Sequence, residues 1–282
     1  MAKIVAGIGL SHSPSIVSSY DPALPFYVEL AKVRQWLAGL RPDAVIVLSS
    51  EHLNGLSFDL TPTFLLGVAE HYDAAAENDQ TERQRQMRPT AVKGHANLAW
   101  QVANGLVANG FDMTISQTLR LDHGVLNPLA FLFESGAIPA VVPLLVNAFQ
   151  PPLPTPARCW ALGGALRAAV QEVADDLRIV VVGAGGLSHH LLGQHVGFTN
   201  EAWDRRYMEL LQSHPQRLAE LTTQQMVERG GQASTENVNW LAMRATLGER
   251  ASARFVDYFQ PSFTGIGLIA FDNPWPGADP VP

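Results

Sequence analysis

The sequence predicts an α/β fold: a largely parallel central sheet, helices on both faces, and a few antiparallel strands added near the C-terminus. Three observations predict it. Lys3–Leu10, Asp43–Ser50, Ala137–Val146 and Leu177–Val182 are continuous apolar runs, the pattern of strands covered on both faces. Stretches of helical periodicity lie between them, which is the alternation of an α/β sandwich. Two further short runs, Arg254–Phe259 and Gly265–Phe271, read as strands after the last helix.

In chain order, Lys3–Leu10 is the first strand. Ala23–Leu40 is amphipathic and stops before Arg41-Pro42, as a helix does ahead of proline. Asp43–Ser50 returns to the sheet. Residues 70–90, "EHYDAAAENDQTERQRQMRPT", mix acidic and basic side chains and read as a long surface excursion. Thr90–Asn109 places apolar residues at 92, 98, 99, 102, 106 and 107 with Gly110 behind them, a helix and its C-cap. Phe111–Thr118 is an apolar stretch. Ala137–Val146 and Leu177–Val182 bracket a helix over Thr155–Ala174, and Glu201–Gln212 and Thr235–Leu247 read as helices. The tail 272–282 is Pro-rich loop. No repeat or abrupt compositional shift divides the 282 residues, of which 47% are hydrophobic, so residues 1–282 are expected to form a single α/β domain.

Charge and cysteine content exclude several classes. The net charge is -7, from 19 basic and 26 acidic residues. The nearest basic cluster, Arg83 to Arg88, is diluted by Asp79 and Glu82 and reads as a solvated loop, so no nucleic-acid partner is expected. Cys159 is the single cysteine; it permits no intrachain disulfide or cysteine-rich zinc site and fits a reducing cytoplasm. His12 and Pro14 interrupt the apolar N-terminal run, unlike a secretory signal. No stretch approaches the ~20 apolar residues that span a bilayer. A cytoplasmic location without membrane association is expected.

The chemistry is expected at strand ends. His12 follows the first strand, His52 follows Asp43–Ser50, and His189 follows Leu177–Val182. In open α/β sheets ligands bind outside the carboxyl ends of the strands, so three imidazoles converge if these strands are parallel neighbours. Converging imidazoles with one carboxylate suit a transition metal, as in the two-histidine, one-carboxylate Fe(II) oxygenase arrangement. Periodicity leaves Glu51, Asp122 and Glu236 open as the carboxylate. His123, in "RLDHGVLNP", is a further candidate. His71 opens an H-x-D triplet but sits in the polar excursion, and His95, His195 and His214 have no strand-end context. "RIVVVGAGGLSHHLLG" (178–193) first suggests a dinucleotide-binding turn. Ser188 occupies the third glycine position, however, and no acidic residue ends a second strand about 20 residues on. The turn therefore reads as the device that presents His189.

The segments "GLSHSP" (9–14), "SSEHLNGLSFDLTPTFLLG" (49–67), "VKGHANLAWQVANGLVANGFDMTI" (92–115), "LDHGVLNPL" (121–129), "GAGGLSHHLLG" (183–193) and "ENVNWLAMRATL" (236–247) occur in this order. Together the chain resembles the LigB-type, class III extradiol ring-cleavage dioxygenases, nearest to the catalytic β subunit of protocatechuate 4,5-dioxygenase, over about residues 3 to 271. The resemblance implies a LigB-like fold and an oxidoreductase of aromatic catabolism that opens catechol-like or related heteroaromatic rings with O2 beside the diol. It implies Fe(II) held by His12, His52 and Glu236, the last four residues before Trp240. It implies that His189 takes a ring hydroxyl proton as the diol binds and returns one during O–O cleavage, and that His123 lines the pocket and assists. His190 has no such counterpart. The family's carboxylate-binding segment reads here as "QPSFTGIGLIAF" (260–271). It keeps Ser262 as a candidate substrate hydrogen-bonder but has Phe263 in place of a polar neighbour, which points away from protocatechuate and toward a less polar ring. The chain shows no equivalent of the separate small subunit that covers the protocatechuate enzyme's active site. The expected assembly is a homo-oligomer, a dimer by preference, with a small lid subunit as the alternative. Two other readings are a metal- or ligand-binding interaction protein on the same scaffold, and a zinc hydrolase using the same ligands.

Overall fold

The computed structural model describes residues 1–57, 59–78, 81–191 and 193–274. Its strands are β1 (Lys3–Leu10), β2 (Ala44–Ser49), β3 (Phe64–Gly67), β4 (His71–Asp73), β5 (Ala91–Lys93), β6 (Thr114–Ser116), β7 (Ala140–Val146), β8 (Arg178–Ala184), β9 (Ser252–Phe259) and β10 (Ile266–Asp272). Eight of them form one sheet in the order β6-β3-β7-β2-β8-β1-β10-β9. The centre, β7-β2-β8-β1, is parallel throughout. β10 and β9 add antiparallel strands at the β1 side, as expected. At the other side β3 runs antiparallel to β7 and parallel to β6. Neither β3 nor β6 was anticipated; four and three residues are too short to show a period.

Alternation across the sheet explains the continuous apolar runs. In β2, Ala44, Ile46 and Leu48 enter one core, whereas Val45 and Val47 enter the other. In β8, Ile179 and Val181 join the first, and Val180, Val182 and Ala184 the second. Side chains of a strand point alternately to the two faces, so every position must be apolar when both faces are covered. Residues of the helices Ala96–Ala108, Pro156–Gln171 and Val238–Thr246 pack on one face, and residues of Pro25–Leu40 and His123–Leu132 on the other.

The segment 70–90 departs from a surface excursion. His71–Asp73 and Ala91–Lys93 pair as a two-stranded antiparallel sheet, and Tyr72, Gln84 and Arg88 are buried. Glu82–Met87 is a helix rather than a solvated loop, with a capping box between Thr81 and Gln84. The helix expected from Thr90 accordingly starts at Ala96, where His95 caps it by accepting the Leu98 N–H. The expected helix 235–247 opens as a 3-10 turn, Gln232–Asn237, that continues into Val238–Thr246. Of the Pro-rich tail, residues 275–282 lie outside the described residues. Among the described residues no helix is long and apolar enough to cross a membrane.

Candidate metal centre

Because β2, β8 and β1 are adjacent and parallel, their carboxyl ends share one edge of the sheet. Three histidines were expected there. The chain leaves β1 at Leu10 and turns through Ser11 to His12, which is 2% exposed. It leaves β2 at Ser49 and reaches His52 through Ser50 and Glu51. The Glu51 carboxylate accepts the backbone N–H groups of Leu53, Asn54, Gly55 and Leu56. Of the three candidate carboxylates it therefore holds its own loop together, which leaves Asp122 and Glu236.

Glu236 is the one that meets the histidines. It is 1% exposed. Its Oε1 lies 3.2 Å from His12 Nε2 and 2.9 Å from His52 Nε2. Its Oε2 accepts the backbone N–H of Gly186 at 2.9 Å. Asp122 stands behind: its Oδ2 lies 2.8 Å from His52 Nδ1 and also accepts the His52 N–H, while its Oδ1 accepts the Gly124 N–H at 2.8 Å and caps the helix His123–Leu132. His123, the first residue of that helix, lies against His52 with ring centres 4.1 Å apart and planes tilted by 31°. One ring nitrogen from each of His12, His52 and His123 falls within 4.8 Å of the others.

The glycine turn after β8 works by space. None of Gly183, Gly185 and Gly186 has a positive φ, so a left-handed backbone is not what glycine supplies here. A Cβ on Gly185 would come within 2.9 Å of Glu236 Cβ, and one on Gly186 within 2.6 Å of His189 Cε1. Glycine lets the backbone approach both side chains and lets the Gly186 N–H reach the carboxylate. Trp240, on the helix Val238–Thr246, locks the turn by donating its Nε1–H to Gly185 O at 3.1 Å. The dinucleotide-like sequence is thus the cradle of a carboxylate within the same chain.

His189 is 5% exposed. Its N–H donates to Gly230 O, and its Nδ1 lies 2.8 Å from Leu187 O. A backbone carbonyl only accepts, so Nδ1 carries the proton and Nε2 is the free base. Burial lowers the His189 pKa below its ordinary 6.5, against the opposing charge of Glu236. Burial likewise lowers His12 against the pull of Glu236. His52 is also desolvated, yet Asp122 and Glu236 outweigh burial and hold it well above 6.5. Burial works to raise Glu236, but His12 and His52 overcome it and keep the carboxylate well below its usual range.

This donor set fits a divalent metal. Two imidazole nitrogens and one carboxylate oxygen meet at a buried point, and Asp122 holds the other nitrogen of His52 in the arrangement metal-binding histidines use. His12 lacks that support: its Nδ1 is buried with no hydrogen-bond partner among the described residues.

Several contributors were not anticipated. Glu77 accepts the His123 N–H at 2.8 Å, and its Oε2 lies 3.1 Å from His123 Nδ1. Arg88 pairs with Glu77 at 2.9 Å and donates to Asn127 Oδ1, and Asn127 Nδ2 donates to His12 O. Burial works to raise the Glu77 pKa, but His123 and Arg88 overcome it and lower it. Buried Asp204 accepts the N–H and Oγ–H of Ser188, next to His189. Asn127 and Asp204 had a readable signal, each a polar residue on the apolar stripe of its helix; Glu77 had none. Ser262 is exposed on the loop before β10, and no hydrogen bond ties it to the histidine cluster; Thr264, two residues on, is buried and bridges His189. His71 is exposed on β4, paired with Asp73, and takes no part.

Fold and site together define an α/β protein with a buried histidine–carboxylate cluster, at the carboxyl edge of its sheet, that could bind a metal. The chain belongs to the family of the catalytic LigB subunit of aromatic ring-opening dioxygenase, whose sequence profile matches residues 6–266. Gallate dioxygenase of Pseudomonas putida is 38% identical over 185 residues, 64% of this chain and 54% of that protein. The 2,3-dihydroxyphenylpropionate/2,3-dihydroxicinnamic acid 1,2-dioxygenase of Escherichia coli O81 is 33% identical over 184 residues, 64% of this chain and 55% of that protein. Its namesake in Klebsiella pneumoniae is 27% identical over 316 aligned positions, covering 93% and 96%. The match to the first two spans about half the length of those proteins. The crystal structure of an uncharacterized Escherichia coli K12 protein, JW3007, superposes with a TM-score of 0.58 at 18% identity, covering 95% of this chain and 98% of that one, and shares its fold.

Proposed function

We propose that this chain is an Fe(II)-dependent extradiol dioxygenase, opening a catechol-like ring beside its diol with both atoms of O2. The observation that carries the reading is the convergence of His12 Nε2 and His52 Nε2 on one oxygen of Glu236. The names of the ring-opening relatives support it.

In this reading His12, His52 and Glu236 hold the metal. Bound Fe(II) would supply the site for the diol and O2 and the path for electrons between them. The chain supplies the proton chemistry. His189 keeps its Nδ1 proton on Leu187 O and offers Nε2 as the base for a ring hydroxyl. Its lowered pKa keeps it neutral, ready to accept, across the physiological range. The proton it gains can return to oxygen later in the cycle. His123, held by Glu77, is oriented to assist at the same pocket. His52, at 17% side-chain exposure, and His123, at 12%, form the more open wall through which a ring would enter, while His12 and Glu236 close the back.

The test is anaerobic loading with Fe(II), followed by O2 uptake and product absorbance with a panel of catechols. One O2 consumed per ring opened is expected. Metal bound but no uptake with any diol refutes the assignment, and tight retention of zinc with no redox-active metal argues for a hydrolase.

A further inference from the structure

We propose that the pocket beside His52, on its Phe149 side, receives an uncharged apolar substituent of the ring, so that the preferred diols carry a small alkyl group there and not a carboxylate. The proposal rests on the ring-opening reading above.

Leu53, Leu56, Pro62, Leu65, Leu145 and Phe149 line this pocket. It adjoins the histidine cluster. The Phe149 ring centre lies 5.2 Å from that of His52. Val146, which also lines it, ends β7, the parallel neighbour of β2, so the pocket opens at the same edge of the sheet.

Charge decides what this pocket accepts. None of the described residues lining it is Lys, Arg or His. Its one ionisable side chain is Glu51, whose carboxylate is already engaged by backbone N–H groups of its loop. Asn147 also lines it, but the Asn147 amide is consumed in its own turn: Oδ1 accepts the N–H of Phe149 and of Gln150, and Nδ2 donates to Gln150 O. A ring carboxylate placed here would shed water, find no cation, and face a second carboxylate. An alkyl group would gain about fourfold in affinity per methylene buried, the equivalent of about 0.8 kcal/mol.

Anaerobic calorimetry of the Fe(II)-loaded chain tests this with catechol, its 3- and 4-methyl and 3- and 4-propyl derivatives, protocatechuate and gallate. At one ring position, Kd should fall about fourfold per added methylene, and protocatechuate and gallate should bind more weakly than catechol. Phe149 is 39% exposed, so Phe149→Arg leaves the fold intact; it should weaken propylcatechol binding and tighten protocatechuate by roughly tenfold. Thr61→Lys introduces the cation from another lining residue and should shift the order the same way. Tighter wild-type binding of the carboxylated diols, no dependence on alkyl length, or no binding of any diol overturns the proposal. Oxygen uptake in parallel separates the two readings: a diol that binds in the expected order but is not opened refutes the dioxygenase assignment and leaves the subsite standing.

Discussion

Asp122 should govern how tightly the site binds metal, although nothing in the geometry makes it a ligand. Its carboxylate does three things at once: Oδ2 takes the N–H and Nδ1 of His52, and Oδ1 caps the following helix through Gly124 N. Burial works to raise its pKa, but His52 outweighs burial and keeps it ionised. In Asp122→Asn one of the two oxygens becomes an NH2. Whichever way the amide lies, a donor then faces the donors of His52 or the Gly124 N–H, a mismatch of about 1–3 kcal/mol. Loss of such support behind a metal-binding histidine typically weakens affinity 10–100-fold, about 1.4–2.7 kcal/mol. Asp122→Ala removes the cap as well, a further ~1 kcal/mol of stability. Anaerobic Fe(II) titration by calorimetry, with thermal melts of the metal-free variants, measures both quantities. Asp122→Asn should lose metal affinity by that factor, and Asp122→Ala should melt lower still. Wild-type affinity in Asp122→Asn at unchanged secondary structure would refute the reasoning.

Three other outcomes follow from the same geometry. His189→Phe should keep its iron and lose turnover by at least 100-fold, checked by metal content and O2 uptake; in the wild type the acid limb of kcat/KM should fall below pH 6.5, because burial lowers the His189 pKa. Gly186→Ala places a methyl 2.6 Å from His189 Cε1; a 10-fold or larger drop in kcat is expected, and unchanged kcat would show that the turn has room to move. Asp204, fully buried, has its pKa raised by burial from 3.8 to about 6. The folded state then binds more protons than the unfolded between those values, so this group's contribution to stability falls as pH rises from about 4 to 6 and is constant above. Asp204→Asn should remove that component, so the melting temperature of the variant relative to wild type should climb over this window; a constant difference refutes the assignment.

How much of this was legible in the sequence depends on distance along the chain. β1, β2, β7 and β8 were readable because each buries both faces, and a run of apolar residues says so locally. The strand-end histidines were readable because chain direction places the residue after a buried strand at the sheet's edge. β3 and β6, four and three residues long, show no period and exist through their neighbours β7 and each other. Arg88 looked like part of a solvated basic run; its burial follows from its pairing with Glu77, in the same excursion, and with Asn127, on the helix His123–Leu132. Ser262, carried by resemblance, lies exposed on the loop before β10.

By itself, then, the sequence determined an α/β sheet and which residue types reach its carboxyl edge, since both follow from local alternation and chain polarity. Only the tertiary structure decided that β8 lies between β1 and β2, bringing His12, His52 and His189 to one place. Among Glu51, Asp122 and Glu236 it turns Glu236, the carboxylate the family resemblance names, toward His12 and His52. That choice rests on hydrogen bonds: Glu51 is taken by its own loop, Asp122 by the back of His52, and Glu236 is turned toward the imidazoles by an N–H that a glycine makes room for.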